Sequence, residues 1–190
     1  MSIIGAYCCI NITLKDEDIE YSNQLAIDHI LKKGHKNIGY IDSDLKLNYS
    51  LLRKQCFIHS LKKNKIKINK KFFVNGYRDS RKKTVQNVKD LLLNNTDISV
   101  LLVSSHLFAM HVIEACNQLN KKIGRDISFL SFDSNILSTM APNITVVSQP
   151  VKKTNEYFIK IINSKINNLS KNYNYLYKTK LVDNNSVISI

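Results

Sequence analysis

The chain has 190 residues and a mass of 21.8 kDa, enough to bury a real core in one domain or two small ones and too short to hide a second large module. Hydrophobic residues make up 44% of it, which excludes intrinsic disorder, and no apolar run reaches the roughly 18 to 20 residues that span a bilayer. Its 28 basic and 15 acidic residues give a net charge of +13, but only Arg53, Arg78, Arg81 and Arg125 are arginine; such a Lys, Asn and Ile bias reads as AT-rich codon usage rather than as a surface built for bidentate phosphate or guanine contacts.

Short apolar or β-branched runs alternate with amphipathic stretches along the whole chain, the pattern of a parallel α/β sheet. Tyr7 to Thr13 reads as a strand. A carboxylate-rich segment, Asp16 to Glu20, opens a helix from about Asp18 to Lys33 with Leu25, Ala26, His29 and Ile30 on one stripe, and Gly34 closes it. Asn37 to Ile41 is the next strand, Ser50 to Lys63 a helix, Phe72 to Asn75 a short strand and Ser80 to Asn94 a helix. Ile98 to Val103 is the clearest strand, followed by a helix from Ser105 to Leu119 and a strand from Ile127 to Phe132. Asp133 to Asn143 lacks periodicity and reads as a connector. Ile144 to Val147 is a strand, the helix after Pro150 runs to about Asn167 and buries Val151, Phe158, Ile161 and Ile162, and a last strand lies around Tyr175 to Val182. No repeat is present. Nothing basic precedes the first apolar residues and acidic ones follow soon after, so a secretion signal is not expected and a cytoplasmic location is. Cys8, Cys9, Cys56 and Cys116 lack CxxC spacing and are expected as free thiols.

Three stretches in register resemble the sensor domain of the lactose/galactose repressor (LacI/GalR) family of bacterial transcription regulators. Ala26 to Ile41 carries the pattern A..HLI..GH..I.YI, Gly124 to Asp133 is similar to G..VP.D.SV.GFD, and Pro142 to Pro150 is similar to P.LTTV.QP. The resemblance implies an α/β, periplasmic-binding-protein-like fold: two parallel-sheet lobes joined by three crossovers, with an effector held between them. On it, residues 1–37 and 134–168 would be the remnant of the DNA-proximal lobe, which would be incomplete, and residues 38–133 and 169–190 the distal lobe. The crossovers would fall near Ile41 and Asp42, near Phe132 and Asp133, and in the loop from Asn168 to Tyr175. No helix-turn-helix pattern fits residues 1–15, so DNA contact would have to come through a helix-turn-helix outside the chain. An incomplete lobe would leave Tyr7 to Thr13 as an exposed edge.

The resemblance also places a ligand site. Arg53 stands where the arginine of an R..GF motif reaches the effector, with Cys56 in place of the glycine; an exposed helix-surface arginine is the plainer reading. His106 stands where SND..A has an aspartate, and an ordinary first-turn position accounts for it equally well. Asp18 corresponds to the first residue of DN..GA, or else it caps a helix. Asp133 falls at a crossover and reads as a hinge residue. Asn184 replaces the arginine of LV.R.S.

Other chemistry has little support. His106, His111 and Cys116 rotate off a common helix face, so no metal site is expected. Ser104, Ser105 and His106 lack a nucleophile-elbow glycine pattern, and no GxGxxG or Walker A sequence occurs, so neither catalysis nor a cofactor is expected. The Lys62 to Lys71 run reads as a solvated helix end and loop. The expected function is therefore small-molecule sensing, of a sugar or similar polar metabolite, by a regulator that dimerises when intact and has no membrane role. A free-standing sugar-binding protein and an inactive regulator fragment are the alternatives.

Overall fold

The computed structural model describes residues 17–43, 48–133, 136–166 and 178–190. In chain order these form α1 (Glu17–Lys32), β1 (Ile38–Ser43), α2 (Asn48–Lys63), a 3-10 turn (Lys70–Phe72), β2 (Phe73–Gly76), α3 (Arg81–Asn94), β3 (Val100–Val103), α4 (His106–Gln118), β4 (Ser128–Asp133), α5 (Ile136–Met140), β5 (Thr145–Ser148), α6 (Val151–Ile166) and β6 (Lys180–Val182). The strand expected at Tyr7 to Thr13 lies outside the described residues.

The local signals act where their chemistry predicts. Gly34, at φ +95°, ends α1 in the left-handed region, its N–H donating to the Leu31 carbonyl. Ser80 and Ser105 cap α3 and α4, their hydroxyls accepting from the N–H groups of Lys83 and Leu107. The segment after β4 departs from its aperiodic reading: Ile136–Met140 is a helix of five residues with Leu137 buried, too short to leave a periodic signature.

One sheet of six strands runs β2-β1-β3-β4-β5-β6, with every neighbouring pair parallel except β5 and β6, which are antiparallel. The four residues of β3 are fully buried, as a central parallel strand covered on both faces must be. Alternation divides the core. Ile41, Leu101, Val103, Phe129 and Val146 face α3 and α4, while Tyr40, Leu102, Leu130, Phe132 and Val147 face α1 and α2. On α6, Ile161 is buried, whereas Ile162, expected inside, is 44% exposed.

The packing joins α1 and β5 to the sheet built by residues 38–133. Helix α1 does not separate from residues 38–133: Ala26, Ile27 and Ile30 are fully buried in one cluster with Tyr40, Phe57, Leu102 and Leu130. Nor does β5, whose Thr145 to Ser148 pair in register with Leu130 to Asp133 of β4. The apolar stripe of α1 covers the sheet face, and the free edge of β4 is what β5 fills.

After β6 the chain straps the amino ends of the strands. Ser186 donates its hydroxyl to the Phe129 carbonyl and accepts from the Thr145 N–H, the Ile188 N–H reaches the Ser128 hydroxyl, and the Ile190 N–H reaches the Lys33 carbonyl. Buried His35 holds the strap, with Nε2 2.9 Å from the Ile188 carbonyl and Nδ1 2.8 Å from the Ser99 hydroxyl. Burial lowers its pKa, and the Ile188 hydrogen bond opposes that shift. A neutral ring donating from Nε2 and accepting at Nδ1 satisfies both contacts.

Candidate effector-binding crevice

In an open parallel sheet, ligands bind outside the carboxyl ends of the strands at the point where strand order reverses. Here the reversal falls between β1 and β3, since β2 lies on one side of β1 and β3 and β4 on the other. The register aligns Ile41 with Val103 and Val103 with Ser131. One position further on, Asp42, Ser104 and Phe132 form a row across three carboxyl ends, on the face that carries Tyr40. Helix α2 begins above this row and α4 begins immediately after it.

Arg53, from the second turn of α2, crosses the row. Its Nη1 donates to the Ser104 carbonyl, and its guanidinium carbon stands 4.1 Å from the centre of the Phe132 ring. At 4% exposure it is a buried arginine rather than a helix-surface one, and desolvation strengthens a cation over an aromatic face. Beside it, Lys54 Nζ lies 2.9 Å from the buried Asp42 carboxylate, which also accepts the Ser43 N–H at 2.9 Å. The lysine is partly exposed and Asp42 is not, so the pair presents an ammonium at the surface above a hidden counter-charge.

Two buried hydroxyls on this face, those of Tyr40 and Ser104, have no hydrogen-bond partner among the described residues. Burial raises the Tyr40 pKa, nearby Asp42 raises it further and Arg53 opposes, so the phenol stays protonated and keeps a donor to offer. The ring is stacked on Phe57 at 4.4 Å between centroids and tilted against Phe73, which fixes its orientation.

The other expected site residues are distributed around this row. His106 is the first residue of α4, half-buried, two positions after Ser104. Asp18 lies in the first turn of α1, which runs back along the sheet to Gly34 and so starts at the same end. Asp133 is the last residue of β4. Asp42 as an ion-pair partner, Lys54, Ser104 and Phe132 were not among the sequence candidates. Period-two alternation from Tyr40 and Leu130 was the signal available for them, but it needed the strand register. Ser104 Oγ reaches no base, and among the described residues no three His, Cys, Asp or Glu side chains converge on a common point.

Residues 27–187 match the family described as periplasmic binding protein-like domain. The chain belongs to that family. Its relatives within it are regulators, in agreement with the lactose/galactose repressor resemblance. The regulator MalR of Clostridium butyricum is 27% identical over 94% of this chain and 56% of its own length, and the ribose operon repressor of Haemophilus influenzae is 24% identical over 84% and 48%. A sugar-binding LacI-family regulator from Escherichia coli, solved with phosphate, superimposes with a TM-score of 0.78 at 18% identity, over 91% of this chain and 62% of that one. The chain thus spans about half the length of the curated relatives it matches. No helix among the described residues is long and apolar enough to cross a membrane.

Proposed function

We propose that this chain is the effector-sensing domain of a cytoplasmic bacterial transcription regulator, binding a sugar or similar polar metabolite at the carboxyl edge of its sheet. The observation that carries the reading is Arg53, buried across the ends of β3 and β4 beside the switch point, within reach of the groups that lead into α4. Arg53, His106 and Asp18 are the proposed ligand contacts, and Asp133, after which the chain leaves β4, is the proposed hinge. The names of two relatives, a ribose operon repressor and a sugar-binding regulator, support a sugar. The role is binding and not catalysis. A second wall, to which α6 would contribute, closes on the ligand, and closure is passed to a helix-turn-helix outside these residues in a homodimer.

The test is a thermal-shift screen against sugars and nucleobases. Ligand at 100 times its Kd stabilises the folded state by about 2.7 kcal/mol. Arg53→Lys keeps the charge but loses the planar fork, and is expected to abolish the shift while leaving the unliganded melt close to that of the parent. A hit whose shift survives Arg53→Lys unchanged removes the crevice from the proposal.

A further inference from the structure

The net charge is not spread evenly. Residues 29–78 hold thirteen Lys or Arg against two Asp, so this quarter of the chain carries most of the +13, while the other 140 residues are nearly balanced. Codon bias accounts for lysine in preference to arginine, but not for where the acids are missing. The fold then gathers seven of these charges, Lys32, Lys33, Lys36, Lys62, Lys63, Lys65 and Lys67, at one pole, while Arg53 and Lys54 lie at the other. Helices α1 and α2 pack side by side and run in the same sense, α1 ending just before β1 starts and α2 starting just after β1 ends. Their carboxyl ends therefore share the pole at the amino ends of the strands, opposite the crevice.

Lys32, Lys36, Lys62, Lys63, Lys65 and Lys67 are exposed there and make no ion pair among the described residues; Lys33, 4.0 Å from Asp183, is the neighbour that does. The helix dipole explains cations in the last turns, Lys32, Lys62 and Lys63. It does not explain Lys36, Lys65 and Lys67, which lie beyond the helix ends. Lys65 even occupies the left-handed region at φ +57°, a helix-terminating position that suits glycine or asparagine. Between the lysines, Ile66 and Ile68 are half-buried and pack on the core, so the surface offers no apolar wedge to a bilayer and no apolar centre for a protein interface. None of these residues is an arginine, a tyrosine or a phenylalanine with which to read or stack on bases, and Arg125, just before β4, is paired with Asp126.

We propose that this lysine pole is a contact surface for a nucleic-acid phosphate backbone, engaged without sequence preference. Point charges on flexible stems, spread over two adjacent helix ends and a loop, fit a line of phosphates. The proposal does not depend on what the crevice binds.

The experiment measures binding of the 190-residue protein to a fluorescent 20-base-pair duplex of mixed sequence by anisotropy. Affinity is expected to fall by about 100-fold between 50 and 200 mM salt, as release of counterions from about four phosphates gives. Lys62→Glu/Lys63→Glu/Lys65→Glu is expected to weaken binding at 50 mM salt at least ten-fold. Lys82→Glu/Lys152→Glu/Lys153→Glu, the same charge change on the balanced part of the surface, is expected to stay within two-fold. The corresponding lysine-to-glutamine set, checked by circular dichroism, replaces the glutamate set if the latter unfolds. Equal losses in both triples would reduce the effect to overall charge and sink the proposal. So would a preference for one duplex sequence, or competition by polyglutamate as strong as by unlabelled duplex, which would assign the pole to an acidic protein.

Discussion

The two poles of the sheet treat charge in opposite ways. At the carboxyl pole, Arg53 is buried against a carbonyl and an aromatic face, and Asp42 is buried beneath Lys54, so each charge has a fixed place and a fixed direction. At the amino pole six lysines extend into water without a counter-ion, and the ordering is done instead by neutral groups: His35, Ser186 and the backbone of the strap. A buried charge is costly to leave unpaired and so constrains its surroundings, whereas an exposed one is cheap and constrains nothing. On the proposed reading, the first pole discriminates between ligands. The second can attract a partner but cannot select one.

Substitutions at each pole test the contrast. The largest effect is expected from Lys54→Ala, which leaves the Asp42 carboxylate buried and unpaired and should cost roughly 3 kcal/mol in urea unfolding. Asp42→Asn frees only a lysine that can turn to water and should cost about 1 kcal/mol; equal losses would mean the pair is not buried in the sense described. At the other pole, a Cβ added at Gly34 would meet the Ile190 carbonyl at 2.5 Å in a left-handed conformation, so Gly34→Ala should lower stability by about 2 kcal/mol and increase hydrogen exchange in residues 183–190.

Acid should act next. His29, His35 and His111 all have pKa values lowered, chiefly by burial, from the ordinary 6.5. The unfolded chain therefore takes up protons before the folded one, and the stability present above pH 6.5 is lost progressively as pH falls below it. Thermal melts at pH 7.5, 6.0 and 5.0 follow this, and His35→Gln should flatten the curve. Smaller still, Lys65→Gly relieves the left-handed backbone and should raise stability by about 1 kcal/mol, while Lys62→Gln should change it by less than about 0.5 kcal/mol.

The order of elements was legible because periodicity and caps are local: Gly34, Ser80 and Ser105 end or start their helices through contacts a few residues away. Arg53 stands out in the sequence through its motif, but its burial does not, since that depends on Ser104 and Phe132, 51 and 79 positions along the chain. Asp42 read as a crossover residue because nothing in its neighbourhood announces Lys54 one helix later. The place of β5 in the sheet was hidden for the same reason: which strand edge a short apolar run fills is decided by register, and a four-residue strand does not encode that by itself.

The strap also has a bearing on how the molecule is made. The His35 to Ile188 contact closes a loop across 153 positions, and Thr145 and Ser186 are 41 apart. Loop-closure entropy and chain order during synthesis both put such contacts last. Strands β1, β3 and β4 can therefore pair as the chain emerges, with their amino ends open until residues 186–190 arrive and lock them. A ribosome stalled shortly before residue 183 would hold a sheet of nearly complete topology with its lower rim unsealed, the state in which unpaired backbone is most available to a chaperone or to a neighbouring nascent chain.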